Sequence, residues 1–179
     1  MCSNVTMARN AEASTGAANF ERLYRQELST LIALAVTMTG SRELGADLAH
    51  EALARAYRDW RTVGALDRPG AWVRRVLINL AIDAQRRRAR ETLALSRLDP
   101  QPTMDPAEAT GQAFWAAVRS LPERPRAAVA LYYIEDLAIT EIADVLGVAP
   151  GTVKTSLFMA RRSLAVTLGA EEVLDDNDR

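Results

Sequence analysis

The sequence predicts an all-α protein: two small helical domains joined by a flexible linker, the C-terminal one containing a helix-turn-helix. Three observations predict it. Apolar residues recur at helical spacing through two long blocks, with no strand-like alternation. A stretch at 92–112, with Pro100, Pro102, Pro106 and Gly111, separates the blocks. Late in the chain, Gly147 and Pro150 stand where a tight turn between two short helices needs them.

Residues 1–19 read as a disordered leader, polar and Ala-rich, with no signal-peptide core and with Met7 as a second candidate start. From Phe20 a stripe of Leu23, Tyr24, Leu28, Leu31, Leu34, Ala35 and Met38 marks the first helix, and Gly40 breaks it. A second helix is expected over 43–60, with Leu44, Leu48, Ala52, Ala56 and Trp60 inward. Residues 61–70 read as a loop, and Asp67 is placed to cap the next helix, with Pro69 in its first turn. That third helix is expected to run to about Arg90, with Trp72, Val73, Val76, Leu77, Leu80, Ala81 and Ala84 inward. These helices make a first domain over 20–91. The linker follows at 92–112, then a second helical domain over 113–168 and an acidic tail at 169–179.

A chain of 179 residues can bury a core without a disulfide framework. Its one cysteine, Cys2, excludes structural disulfides and cysteine-rich zinc sites and suits a reducing cytoplasm. No apolar run approaches the roughly 20 residues of a membrane span, so no membrane insertion is expected. The 22 Lys+Arg against 23 Asp+Glu leave a net charge of −1, which argues against nucleic acid until the charges are located. Residues 74–97 hold seven arginines against Asp83 and Glu91, a local +5. Residues 147–168 hold Lys154, Arg161 and Arg162 with no acid, a local +3. Residues 135–144 and the last nine residues are each −4. Neutrality therefore conceals two basic segments.

Residues 139–154 carry the sharpest local signal. Thr140 can cap a first short helix, Ala143 is small where a second helix crosses, Gly147 supplies the left-handed turn, and Val153 plugs back toward Ile142, Leu146 and Leu157. An ordinary helical hairpin is the other reading. The charge pattern favours DNA, because the first helix is acidic and the second purely basic with small polar residues at its start. On the third helix Arg75, Asn79, Asp83, Arg86 and Arg90 share the face opposite the apolar stripe. A charge run is usually a solvated surface. Here so many like charges would repel, and a phosphate backbone relieves that through counterion release. Asn79 can donate to and accept from an unstacked base edge. Trp72 reads as core rather than a stacking platform.

Enzymatic constellations are missing. His50-Glu51 begins like a zinc-protease helix, but Ala54 stands where the second histidine would be. No Gly-rich phosphate loop appears. No catalytic residue, metal or cofactor is expected.

In order along the chain, these segments resemble the sigma-70 family of bacterial RNA polymerase sigma factors, in its short extracytoplasmic-function (ECF) group. Thr39-Gly40 followed by Asp47, His50-Glu51 and Arg55 resembles the family's polymerase-binding helix. Pro69-Gly70, Trp72, Arg74-Arg75 and Asn79, through Asp83 and Arg86-Arg87, resembles its −10-recognition helix. Leu121-Pro122-Glu123-Arg124-Pro125-Arg126, then the helix-turn-helix with Gly151-Thr152-Val153-Lys154, resembles its −35-recognition domain. The resemblance covers roughly 20–168.

It implies a promoter-specificity subunit of core RNA polymerase. The first domain would dock on the clamp helices of the beta-prime subunit through Asp47, His50, Glu51 and Arg55. It would open the −10 element through Arg68, Arg74, Arg75, Asn79, Arg86, Arg87 and Arg90, with loop residues 63–71 and Asn79 holding an extruded base. The second domain would sit on the beta flap and read −35 DNA through Thr152, Lys154, Thr155 and Phe158, with Arg161 and Arg162 nearer phosphates. A separate anti-sigma protein is also implied. Three departures stand out: His50 replaces the family's usual glutamine, Ala149 its serine cap, and Ser156 and Met159 its common basic residues. The Ala149 change forfeits about 1 kcal/mol of capping. Two other functions fit the residues without the resemblance: a conventional helix-turn-helix regulator acting without polymerase, and a protein-binding adaptor.

Overall fold

A computed structural model describes residues 3–95 and 109–168, with side chains over 16–91 and 114–166. Among the described residues every regular element is an α-helix, in the order α1 (Ser3–Thr39), α2 (Arg42–Arg58), α3 (Trp60–Val63), α4 (Pro69–Leu95), α5 (Ala109–Ser120), α6 (Glu123–Ile134), α7 (Ile139–Leu146) and α8 (Pro150–Leu168). Cys2, the prolines of the linker and the acidic tail lie outside them.

The expected disordered leader is helical from Ser3 and continuous with the amphipathic half of α1. Its alanines are strong helix formers, no proline interrupts them, and extending an existing helix avoids the cost of nucleation. Gly40 ends α1 with φ +73° and lets the Arg119 side chain lie across it, where an added Cβ would be 3.0 Å from Arg119 Cδ. Ser41 then caps α2, its Oγ accepting from the Leu44 N–H at 3.3 Å.

The second helix does not continue to Trp60. It breaks at Asp59, whose φ is −102° and ψ 20°, and a single turn, α3, follows inside the expected loop. Asp67 does not occupy the cap position of α4. Pro69 is the first helical residue, so the cap is Arg68, whose carbonyl accepts from Ala71 and Trp72. The helix continues past Arg90 to Leu95, because nothing between them breaks it.

The first domain closes around Leu31, Leu34 and Met38 of α1, Leu53 of α2, and Val73, Leu77 and Ala81 of α4, all buried. On α2 the fully buried line is rotated from the expected one. Ala52 and Ala56 are buried, joined by Gly45, Ala49 and Leu53, while Leu48 and Trp60 are only partly buried. Gly45 sets this geometry: a Cβ there would sit 2.7 Å from Val36 Cγ2 and 2.9 Å from the Val36 nitrogen. Its bare backbone lets α1 and α2 approach closely.

The second domain packs Val118 of α5, Leu131 of α6, Ile142 and Val145 of α7, and Val153, Leu157 and Leu164 of α8. The two domains also touch each other. α1 packs on α5 and α6, and α4 packs on α7. At this seam Arg126 of α6 donates from Nη1 to the Met38 carbonyl of α1 at 3.1 Å and from Nη2 to the Leu121 carbonyl at 2.8 Å. Gln85 of α4 donates to the same Met38 carbonyl. An exposed helix end leaves such carbonyls unsatisfied, and here the other domain supplies a donor. Among the described residues, no helix is long and apolar enough to cross a membrane.

Candidate nucleic-acid interface

The helix-turn-helix forms from α7 and α8. Gly147 takes φ 66° and ψ 40°, the left-handed conformation that turns the chain between them. Pro150 opens α8, and Val153 and Leu157 are buried against Ile142 and Ala143. Thr140 lies inside α7 rather than capping it. The cap position is Ala138, and Glu141 reaches back to accept from the Ala138 N–H at 3.1 Å. The helix starts there because Glu141 offers the reciprocal half of a capping box, which needs no hydroxyl.

Along α8, Thr152, Lys154, Thr155, Phe158 and Arg162 are exposed. Phe158 is 58% exposed, a large apolar side chain open to a base or methyl group. Arg161 turns back on its own domain instead. Its Nε donates to Tyr133 Oη at 3.3 Å, and its guanidinium lies 5.7 Å from the Tyr132 ring centroid. The contact with Tyr133 raises its pKa further, so it remains a cation there.

α4 presents Arg75, Asn79, Asp83, Arg86, Arg87 and Arg90 on one exposed face. Arg90 Nε donates along its own helix to the Arg86 carbonyl at 3.1 Å. The others divide between solvent and the second domain. Arg86 grips Glu123 at the start of α6 with two bonds, Nε to Oε1 at 2.8 Å and Nη2 to Oε2 at 2.6 Å. This contact holds the Glu123 carboxyl below the usual carboxylate range. Arg75 donates from Nε to the Val145 carbonyl at 3.0 Å and from Nη2 to the Asp144 carbonyl, at the C-terminal end of α7. Arg68, just ahead of α4, pairs with Glu141 at 3.2 Å.

Arg74 is the most enclosed of these arginines, its side chain only 16% exposed. It lies 2.7 Å from Glu27 of α1 and bonds Glu135, the C-cap of α6, whose side chain is 1% exposed. Glu135 Oε1 is buried and has no hydrogen-bond partner among the described residues. Burial pushes the Glu135 carboxyl above the usual carboxylate range; Arg74 opposes that push and Glu27 adds to it. Burial alone would lower the Arg74 pKa, but the two carboxylates outweigh it and raise it. One cation thus faces two carboxylates from two domains.

Between α4 and the helix-turn-helix lies a cleft of about 500 Å³. Arg75, Asn79 and Arg86 line one wall, and Gly147, Thr152 and Ser156 the other. Of the proposed −35 residues only Thr152 lines this cleft, opposite Arg75, Asn79 and Arg86 of the proposed −10 helix. The candidate polymerase contacts lie on α2, where Asp47, His50 and Glu51 are exposed and Arg55 bonds Glu51 at 2.8 Å.

Sequence reasoning missed Glu27, Glu123, Glu135 and Glu141 as partners of the arginines. Only Glu123 carried a signal, as part of the Leu121–Arg126 motif. The others lie 47 to 73 residues from the arginine each one meets.

Comparison with known proteins gives a consistent picture. Residues 23–91 match the family described as Sigma-70 region 2, and residues 111–164 match the one described as Sigma-70, region 4. The chain is 32% identical over 173 residues to the ECF RNA polymerase sigma factor SigL of Mycobacterium tuberculosis, covering 90% of this chain and 96% of that one. It is 30% identical over 156 residues to the RNA polymerase sigma-E factor of Streptomyces coelicolor, covering 86% and 88%. Against the ECF RNA polymerase sigma factor SigE of Mycolicibacterium smegmatis it is 33% identical over 158 residues, 82% of this chain and 60% of that longer protein. Among solved structures, the sigma factor RpoE from Bartonella quintana, crystallised with the anti-sigma factor NepR, shares the fold with a TM-score of 0.72. That match covers 86% of this chain and 98% of the other at 23% identity.

Proposed function

Since the chain belongs to the sigma-70 family of RNA polymerase sigma factors, in the ECF group, we propose that it directs core RNA polymerase to a defined set of promoters by opening the −10 element and reading the −35 element. The observation that carries this reading is the order and extent of the match. Regions 2 and 4 occur once each, in sequence, in a chain aligned to 96% of SigL. A stand-alone helix-turn-helix regulator or an adaptor would account for only one of the two regions.

In this reading α2 docks on the clamp helices of the beta-prime subunit through Asp47, His50, Glu51 and Arg55. Asp47, His50 and Glu51 are exposed along one helix, and Arg55 bonds Glu51 beside them, which supports that role. The second domain rests on the beta flap and offers Thr152, Lys154, Thr155 and Phe158 to the −35 groove, with Arg162 and Arg161 nearer the phosphates. α4 takes the −10 strand. Arg68, Arg75, Arg86, Arg87 and Arg90 face its backbone, Arg74 stays enclosed between Glu27 and Glu135, and Asn79 with loop residues 63–71 receives the extruded base. Extrusion costs a few kcal/mol, which a pocket that binds only the flipped base can offset. Leu66 in that loop is an exposed apolar side chain suited to such packing. The protein itself catalyses nothing; polymerase makes the bonds. Its place is the cytoplasm, with polymerase, and an anti-sigma protein is a further partner, as for RpoE with NepR.

The test is transcription in vitro. Core polymerase with this protein should start RNA at defined sites in a library of genomic fragments. Starts no more frequent than with core alone would contradict the reading.

A further inference from the structure

The outward face of α8 is apolar where a base-reading helix usually carries paired donors. Six large apolar side chains are exposed among the described residues, and three of them stand on α8: Phe158, Met159 and Val166. Met159 is 55% exposed and has no place among the −35 residues assigned above. It sits beside Phe158, off the buried line of Val153, Leu157, Ala160 and Leu164. Thr155 lies one turn before both, at three and four residues, so the three side chains are neighbours on one surface. The Thr155 hydroxyl is already committed, its Oγ1 donating to the Gly151 carbonyl at 3.0 Å. A hydroxyl has one proton to give, so Thr155 has none for a base. Arg161 is turned away to Tyr133 and Tyr132. The exposed cations of α8, Lys154 and Arg162, stand one turn before and one turn after the Phe158–Met159 pair. No Asn, Gln, Asp or Glu occurs along the helix.

These chemistries select among bases. In the major groove adenine is read by Asn or Gln, cytosine by a carboxylate and guanine by a long cation. Thymine alone offers a C5 methyl group, which an apolar side chain can cover. α8 lacks the first two readers and keeps its exposed cations outside the patch, where they suit phosphates on either side. We propose that Met159 is a specificity-determining residue: together with Phe158 it covers thymine methyl groups of the −35 element, so that this chain selects thymine, not guanine, at the base facing Met159. This assignment rests on the reading of α8 as the −35 helix. Met159 suits the task because its unbranched thioether has three rotatable bonds and adapts to an irregular apolar surface. Phe158 and Met159 leave the helix about 100° apart, at 3.6 residues per turn, so each meets a different base. An element read this way carries neighbouring A·T pairs under the middle of α8.

The experiment selects promoter duplexes, randomised over the −35 element, on holoenzyme formed from the full chain and core polymerase. The parent should enrich thymine at the position whose preference changes in Met159→Arg, and that variant should prefer guanine there by about tenfold. On the selected duplex, deoxyuridine in place of that thymidine removes the methyl group alone. Parent holoenzyme should bind the deoxyuridine duplex about fourfold more weakly, the worth of one buried methyl. Met159→Ala holoenzyme should bind the two duplexes equally, a coupling that a merely structural role for Met159 would not produce. Met159 is exposed, so none of these variants opens the core. An unchanged preference in Met159→Arg, or equal binding of the thymidine and deoxyuridine duplexes by the parent, overturns the proposal and leaves the patch to a protein partner or to solvent. Either result spares the promoter-specificity reading, because the parent still enriches a defined element. A parent holoenzyme that enriches no element refutes both.

Discussion

Arg86 of α4 and Glu123 of α6 face each other in a two-bond grip, at 2.8 and 2.6 Å, across the seam between the domains. The pair joins the fifth turn of one helix to the first turn of another, 37 residues apart in sequence. Glu123 also lies at the N-terminal end of α6, where a negative charge is favoured. Because the pair is exposed, salt should screen it. Raising ionic strength from about 0.05 M to about 0.5 M, a fall in screening length to a few ångströms, should lower energy transfer between dyes on Thr62→Cys and Val166→Cys, exposed positions in the two domains of a chain carrying Cys2→Ser. In Glu123→Gln the salt response should be smaller. Salt-independent transfer in the parent protein would count against electrostatic closure.

The Arg74 group predicts a pH response. Glu27 of α1, Arg74 of α4 and Glu135 at the end of α6 meet there, with Arg68 and Glu141 lining the adjoining pocket. Burial in the closed state raises the proton affinity of Glu135. Closing therefore favours the protonated form, and closure strengthens as pH falls through that raised range and weakens as pH rises through it. Glu123 has the opposite sign: Arg86 lowers its pKa, so its contribution persists until pH falls into the ordinary carboxylate range. As pH falls from neutral toward the usual carboxylate values, transfer should rise on acidification. Glu135→Gln should flatten the curve. A parent protein that opens on acidification over this window would refute the assignment.

Two glycines predict different stability costs. At Gly45 an alanine Cβ would strike Val36 backbone and side chain at 2.9 and 2.7 Å, so Gly45→Ala should cost about 1–3 kcal/mol through overpacking. At Gly147 nothing lies within 4 Å of an added Cβ, and only φ +66° resists it. Gly147→Ala should cost about 1–2 kcal/mol through left-handed strain. Chemical denaturation measures both. Because Gly147 lacks a neighbour, Gly147→Asn should recover part of the loss, whereas Gly45→Asn should not.

These positions also mark what was legible in the sequence. The helix-turn-helix was readable because Gly147, Pro150 and Val153 act locally, each through its own backbone or its immediate neighbours. The face of α4 was readable from periodicity. Gly45 and Ala49 were passed over because small residues carry little hydrophobic signal, although they bring α1 and α2 together. The leader misled for the reverse reason: its alanines look like filler and are strong helix formers. Nothing local announces that Arg74 meets Glu135, 61 residues away. That pairing exists only once two independently patterned domains dock, and a repeat of 3.6 residues describes one helix, not its choice of neighbour.

Asn79 separates base capture from docking. It is exposed on α4, and its removal should shift folding stability by no more than about 0.5 kcal/mol. Asn79→Ala should lower open-complex formation about tenfold, roughly 1.4 kcal/mol, with polymerase affinity unchanged. Permanganate footprinting of the −10 region and a polymerase-binding titration read the two effects. Equal loss in both would remove Asn79 from the base pocket.

The central claim is that this chain gives core RNA polymerase its choice of promoter. Transcription in vitro from a library of genomic fragments, with and without the protein, tests it most directly. RNA that starts at defined sites when the protein is added is the predicted result. Starts no more frequent than with core polymerase alone would contradict it.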